Sequence, residues 1–340
     1  MNEKMVLALM HNSLDDMRNI SKSDLHSHGA RGGHVSYIAN WAGIEIEPPP
    51  KKFISKEDES TTLASMQKWF KKTIRPHCIG PKGHLKRWEA TFAQATEDNI
   101  SIMSISFRRA EIFKYFSKIE NFIKTIQELQ QKFAPNTILL PELAYAREDC
   151  DVDTELPLLE EIVSHNFFKS IDICGDEHAQ PIRNFKKIYN FAKSSGLILK
   201  AHVGEFGKPD DIMEAVEELE LDEVHHGNAA EKSPRIMKWL AANQIQLNVC
   251  PTSNIMLGLV EDYSTHPIKQ FYEYGIPVTI NTDDLLIFNQ TVSQEYLNLY
   301  NAKTLNAQEL DNIRERGLSA MERYNIRITN GKGRYNHERT

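Results

Sequence analysis

Residues 197–227, LILKAHVGEFGKPDDIMEAVEELELDEVHHG, hold the pattern on which the reading of this chain turns. The apolar run 197–202 is short enough for a buried strand and closes on His202. A glycine-containing turn with Glu205 follows. Pro209 then opens a helix over 209–220, with Asp210 and Asp211 in the first turn, where the helix dipole favours negative charge. Residues 223–226 form a second short strand, and it too ends in histidine. Strand, helix, strand is the repeating unit of a parallel sheet.

The same alternation runs along the chain. Strands are predicted over 23–26, 100–107, 137–144, 170–174, 197–202, 223–226, 245–250 and 277–281. Eight such units favour an α/β fold closed as a (β/α)8 TIM barrel over an open doubly wound sheet. The chain has neither a Gly-x-Gly-x-x-Gly fingerprint nor a P-loop, so a nucleotide cofactor has no support.

A length of 340 residues and a hydrophobic content of 41% suit one barrel domain over 1–340. Residues 30–99, which include the polar stretch EPPPKKFISKEDES, are expected to form a helical insertion after strand 1 that covers the mouth. The polar tail 326–340 is expected to fray. A net charge of −7 without a basic stripe argues against an extended nucleic-acid partner. The only apolar run near the start, 6–10, is too short for a signal core or a membrane span, so a cytoplasmic protein without a membrane partner is expected. Cys78, Cys150, Cys174 and Cys250 are too few and scattered for a disulfide framework and are read as reduced thiols.

In such a barrel the βα loops form the mouth, so catalytic groups gather at the C-terminal strand ends. Strand 1 ends in Asp24-Leu25-His26-Ser27-His28, and strand alternation points His26 and His28 to one side, a spacing that suits two imidazoles on one metal ion. Strand 5 leads into His202-Val203-Gly204-Glu205, strand 6 into His225-His226-Gly227, and strand 8 into Asn281-Thr282-Asp283-Asp284. Any one of these could be a hydrogen-bonded polar group of the core. Four together resist that reading, because buried ionisable groups are costly unless paired or bound to metal. Isolated histidines such as His11, His165 and His337 are read as surface or capping residues.

The ordered set His26-x-His28, Asp172-Ile173-Cys174-Gly175-Asp176-Glu177, His202-Val203-Gly204-Glu205, His226-Gly227, Cys250-Pro251-Thr252-Ser253-Asn254 and Asn281-Thr282-Asp283-Asp284 resembles the adenosine deaminases of the amidohydrolase superfamily. His266-Pro267-Ile268 and the approach to strand 8 are similar as well. The resemblance implies one Zn2+ held by His26, His28, His202 and Asp283, although Fe2+ and Co2+ accept the same ligands. It implies that Glu205 protonates a purine ring nitrogen, that His226 and Asp283 orient the attacking water, and that Asp284 and the Gly175 N–H hold the ring. Superfamily members with two metals use a carboxylated lysine at the end of strand 4. Here that end is Cys174-Gly175-Asp176, which points to a single metal.

The pattern also departs from the family. Members acting on adenosine usually follow the first His-x-His with Leu-Asp-Gly, whose aspartate contacts the ribose 5′ hydroxyl; Ala30 stands in its place, within Gly29-Ala30-Arg31-Gly32-Gly33. Leu285 replaces the proline after the paired aspartates, and Glu223-Val224-His225-His226 replaces Arg-x-Gly-His. Alternation would turn His225 away from His226, as a structural residue. Arg31 is read first as an exposed loop arginine and alternatively as a receiver of an anionic or bulky sugar substituent. The expected activity is hydrolytic deamination of a 6-aminopurine, adenosine or a modified adenosine, with release of ammonia. The alternatives are free adenine, a 5′-modified adenosine nucleotide or another aminated heterocycle. A catalytically dead binding relative is a third reading, and the presence of every ligand and of Glu205 speaks against it.

Overall fold

A computed structural model describes residues 2–54 and 61–324, so the tail expected to fray lies outside the described residues. Eight strands follow in chain order: β1 (Lys22–His28), β2 (Ile100–Arg108), β3 (Ile138–Ala146), β4 (Ser170–Cys174), β5 (Ile198–Val203), β6 (Glu223–His226), β7 (Gln246–Val249) and β8 (Val278–Ile280). Each pairs in parallel with the next. Beyond β8, the Asp283 N–H donates to the His26 carbonyl at 2.9 Å, and a parallel bridge joins Ser27 to Asp283. The sheet thus returns to β1 as a (β/α)8 barrel.

Burial on both faces explains why these strands read as short apolar runs. In β5, Leu199, Ala201 and Val203 pack in the main apolar core, which also takes up Ile212, Ala215, Val216 and Leu219 of the helix Pro209–Leu219. The alternate residues Lys200 and His202 make polar contacts inside the barrel. The helix stops one residue short of the sequence reading because Glu220 takes a left-handed conformation (φ 53°) as its C-cap. β1 runs two residues past the expected end and so carries both histidines, while β7 and β8 are shorter than their apolar runs.

Leu25, Ile102, Leu140 and Ile198 meet Ala320 and Tyr324 in a small apolar cluster at the other end of the barrel. Over the mouth, Ile38, Phe53, Met66, Phe70 and Ile74 form a cluster with Leu286, Ile287 and Phe288, which fastens helices after β1 to the short helix Leu285–Phe288 after β8. Gly33 permits this seating: a Cβ there would lie 2.3 Å from the Ala90 Cβ on the helix Gly80–Glu97. No helix among the described residues is long and apolar enough to cross a membrane.

Candidate metal centre and active site

The ends of β1, β5 and β6 bring five imidazoles together, His26, His28, His202, His225 and His226. Ring centroids lie 5.2 Å apart for His26 and His28, 4.7 Å for His26 and His202, and 5.4 Å for His28 and His202. Asp283 completes the set: its Oδ1 lies 3.3 Å from His28 Nε2 and 3.8 Å from His26 Nε2, and its Oδ2 accepts from the Ser253 hydroxyl at 2.7 Å. A left-handed conformation at Asp283 (φ 59°) turns this carboxylate inward just past β8. Asp24, buried beneath, accepts from the Thr282 hydroxyl and N–H and ties the two strand ends together; burial pushes its carboxyl up to about 7.

Three observations fit a metal cation. Both ring nitrogens of His26 are buried without a hydrogen-bond partner, which costs about 1–3 kcal/mol per group unless a ligand satisfies them. His202 places Nδ1 on the Asp172 carboxylate at 3.0 Å, the outer support that fixes a metal-binding imidazole and leaves Nε2 as its other donor atom. The His28 imidazole is raised to about 9: burial opposes its charge, but Asp284 and Asp283 outweigh it, so the spot favours a positive charge.

Glu205 sits across from these ligands, its Oε2 3.7 Å from His226 Nε2. Burial, followed by the charges of Asp283, Glu177 and Asp284, holds its carboxyl well above the usual carboxylate range, which favours the protonated form. Glu177 belongs to a motif quoted from the sequence but had no role assigned. Its carboxylate accepts the backbone N–H groups of Gly204, Glu205 and Phe206 at 2.8, 2.8 and 2.7 Å. With Gly204 at φ 69°, three successive N–H groups form a concave anion nest, and the carboxylate in it pins the turn that presents Glu205. The only sequence signal was an acidic residue beside Gly175-Asp176, which does not reveal its target.

The direction of His225 differs from the expectation. His226 has φ 64°, which breaks the alternation of β6, and both rings lie within the barrel. His225 stacks on His26 with centroids 3.8 Å apart, and its Nε2 lies 3.2 Å from Glu142 Oε1. His226 is 5.1 Å from His26 between centroids, and burial depresses its imidazole to about 3, leaving it neutral.

The cavity above this cluster measures about 850 Å3. His28, Glu205, His226, Asp283 and Asp284 form its floor, and Met66 and Phe70 of the helix Thr62–Thr73 line its upper wall. Gly175 also borders it, with φ 97°, and a Cβ there would come within 2.1 Å of the Glu148 carboxylate. The exposed-loop reading of Arg31 does not hold. Its guanidinium lines the cavity, pairs with Asp284 Oδ2 at 2.7 Å, donates to Gln67 at 2.9 Å and lies 4.7 Å above the Phe70 ring. Asp284 keeps its other oxygen, Oδ1, buried and without a partner. Ala30 has no polar side chain, and its carbonyl accepts from Arg87 at 3.2 Å.

Comparison with known proteins gives the family and the fold. Residues 120–322 match the profile of the family described as adenosine deaminase. A putative adenosine/adenine deaminase of Treponema pallidum (strain Nichols) is 30% identical over 289 residues, covering 84% of this chain and 93% of that protein. An adenosine deaminase of Clostridium acetobutylicum is 30% identical over 320 residues, covering 91% and 95%. In fold, the chain is similar to the crystal structure of an adenine deaminase from Arthrobacter aurescens, with a TM-score of 0.73, 19% identity and coverage of 93% and 99%.

Proposed function

The chain belongs to the adenosine deaminase family, and from that premise we propose that it hydrolyses the C–N bond to the 6-amino group of an aminopurine, adenosine or a modified adenosine, giving the 6-oxo purine and ammonia. The observation that carries this reading is the cluster of His26, His202 and His226 donor nitrogens, those of His26 partnerless, with the Glu205 carboxyl Oε2 3.7 Å from His226 Nε2. His26, His28, His202 and Asp283 would hold one Zn2+, with Fe2+ or Co2+ as alternatives, and what the ion supplies there is an acidified water as nucleophile.

The chain's own groups account for the rest. Glu205 gives its proton to the ring nitrogen next to the reacting carbon, which withdraws electron density from that carbon as water attacks. Asp283 and His226 orient the water. The partnerless Oδ1 of Asp284 and the Gly175 N–H hold the ring by its other edge. The helices over the mouth limit access of bulk water, a role we assign to the segment 30–99. A second reading, free adenine, is favoured by Ala30, which offers a 5′ hydroxyl no side-chain acceptor while its carbonyl is taken by Arg87.

The test is ammonia release from adenosine, adenine, AMP and a non-purine aminated heterocycle by metal-replete protein. Turnover confined to 6-aminopurines is expected. No release from any 6-aminopurine by protein holding one metal per chain would overturn the reading.

A further inference from the structure

His226 Nδ1 faces the side-chain amide of Asn254, with Nδ2 at 3.1 Å. The other end of that amide, Oδ1, faces His266 Nε2 at 3.3 Å, and His266 Nδ1 faces the backbone N–H of Ile268 at 3.1 Å. His226, Asn254 and His266 are all buried. A backbone N–H can only donate, and this fixes every later link. His266 Nδ1 must accept, so its proton is on Nε2. That N–H donates to Asn254 Oδ1, which leaves the Asn254 amino group pointing at His226 Nδ1. His226 Nδ1 must therefore accept, and its proton is on Nε2. Reversing the amide would set its amino group against the His266 Nε2–H, two buried donors facing each other.

We propose that Asn254 and His266 are positioning residues that hold His226 as the Nε2–H tautomer, so that it meets the reacting oxygen as a hydrogen-bond donor and serves neither as base nor as metal ligand. His226 Nε2 lies 3.7 Å from Glu205 Oε2 and 4.0 Å from Asp283 Oδ2, so the fixed N–H is aimed between the proton donor and the Asp283 carboxylate. A bare Nε2 there would instead accept a hydrogen bond from the water, as a general base does. The inference rests on the deaminase reading for its catalytic meaning, while the tautomer can be measured without turnover.

The experiment uses 15N-histidine-labelled, zinc-loaded protein. Long-range proton–nitrogen correlation identifies the tautomer of each neutral imidazole, and His226→Gln assigns the signal. An Nε2–H tautomer at His226 is expected. An Nδ1–H tautomer or an imidazolium would overturn the proposal even if the enzyme deaminates adenosine. Asn254→Asp places an acceptor-only carboxylate between the two rings and should move the His226 proton to Nδ1. Turnover should then fall on the order of 10²- to 10⁴-fold, as for a catalytic histidine held in the wrong tautomer, with KM within about threefold of wild type. His266→Gln keeps an acceptor for Ile268 and a donor for Asn254, and should retain both the tautomer and most of the turnover that His266→Ala loses. An Asn254→Asp variant that shifts the tautomer but keeps its rate would refute the catalytic part, and unchanged tautomers in both Asn254→Asp and His266→Ala would refute the chain.

Discussion

The two halves of the barrel interior contain the same kinds of residue and treat them in opposite ways. Below the histidines, Lys200 Nζ is buried against Glu142 at 2.8 Å, Glu223 at 3.5 Å and the Ser104 hydroxyl at 3.0 Å. Glu142 also accepts from Ser170 and faces His225, and Glu223 accepts from Asn248. Above, His26 has no partner on either nitrogen and Asp284 none on Oδ1. A buried polar group is tolerated when paired, so the lower network is a structural element, while partnerless groups a few ångströms higher mark where a ligand completes the set. Burial of charge alone does not identify an active site. Unsatisfied burial also occurs away from the site, as at Gln94 and Asn228, so it points to a ligand only where, as at His26 and Asp284, it coincides with the histidine cluster at the strand ends.

Breaking the lower network should produce the largest change in stability. Lys200→Met leaves Glu142 buried without its lysine and Glu223 with only Arg323 at 3.8 Å, and should cost about 3–5 kcal/mol in urea unfolding. A loss below about 1 kcal/mol would mean that these charges are not held as tightly as the upper ones are left free. In the upper half the corresponding change acts on the reaction. Glu205→Gln should keep fold and metal content yet lose turnover on the order of 10²-fold or more. Near-normal kcat in this variant would remove Glu205 from the chemistry.

The upper half was legible in the sequence because strand alternation pairs His26 with His28, strand-end position singles out His202 and Asp283, and the family motifs supply the order, while the left-handed turn that aims Asp283 inward was not readable. The lower half was not. Lys200 and Glu142 each occur singly in an apolar run and Glu223 follows another acid, and only barrel closure shows that β3, β5 and β6 aim them at one another. Alternation misplaced His225 because a left-handed His226 breaks the period at the end of β6, and no sequence rule flags a positive φ at histidine. The pairing of Arg31 with Asp284 spans 253 positions and likewise needs the fold.

Glu295 stands between the two halves in character. Its Oε1 accepts from the Thr252 N–H at 2.9 Å, whereas its Oε2 is buried without a partner. Burial raises its carboxyl from 4.5 to about 8. The native state therefore binds this proton more tightly than the unfolded chain does. The resulting stability is fully present below pH 4.5 and is lost as pH rises through about 8. Glu295→Gln should match wild type near pH 5 and exceed it by on the order of 1 kcal/mol or more near pH 9. Parallel stability profiles across that range would show the half-paired carboxylate to be ionised throughout.

The smallest expected effect concerns the substrate's 5′ position. With Ala30 in place of an aspartate, kcat/KM for adenosine and 5′-deoxyadenosine should differ by less than about tenfold, since a site that lacks the polar partner cannot reject the analogue strongly. Arg31 is already matched by Asp284 and Gln67, so AMP should also stay within about tenfold, and Arg31→Ala should lower all substrates alike through Asp284. A strong preference for adenosine would place a replacement acceptor elsewhere along the cavity wall.

The contrast between paired and partnerless groups is tested most directly by elemental analysis of the purified protein beside its His202→Ala variant. The account predicts about one transition metal per wild-type chain and release of that metal in the variant, which loses one of four ligands. Two metals per chain, none after reconstitution, or full metal content in His202→Ala would contradict it.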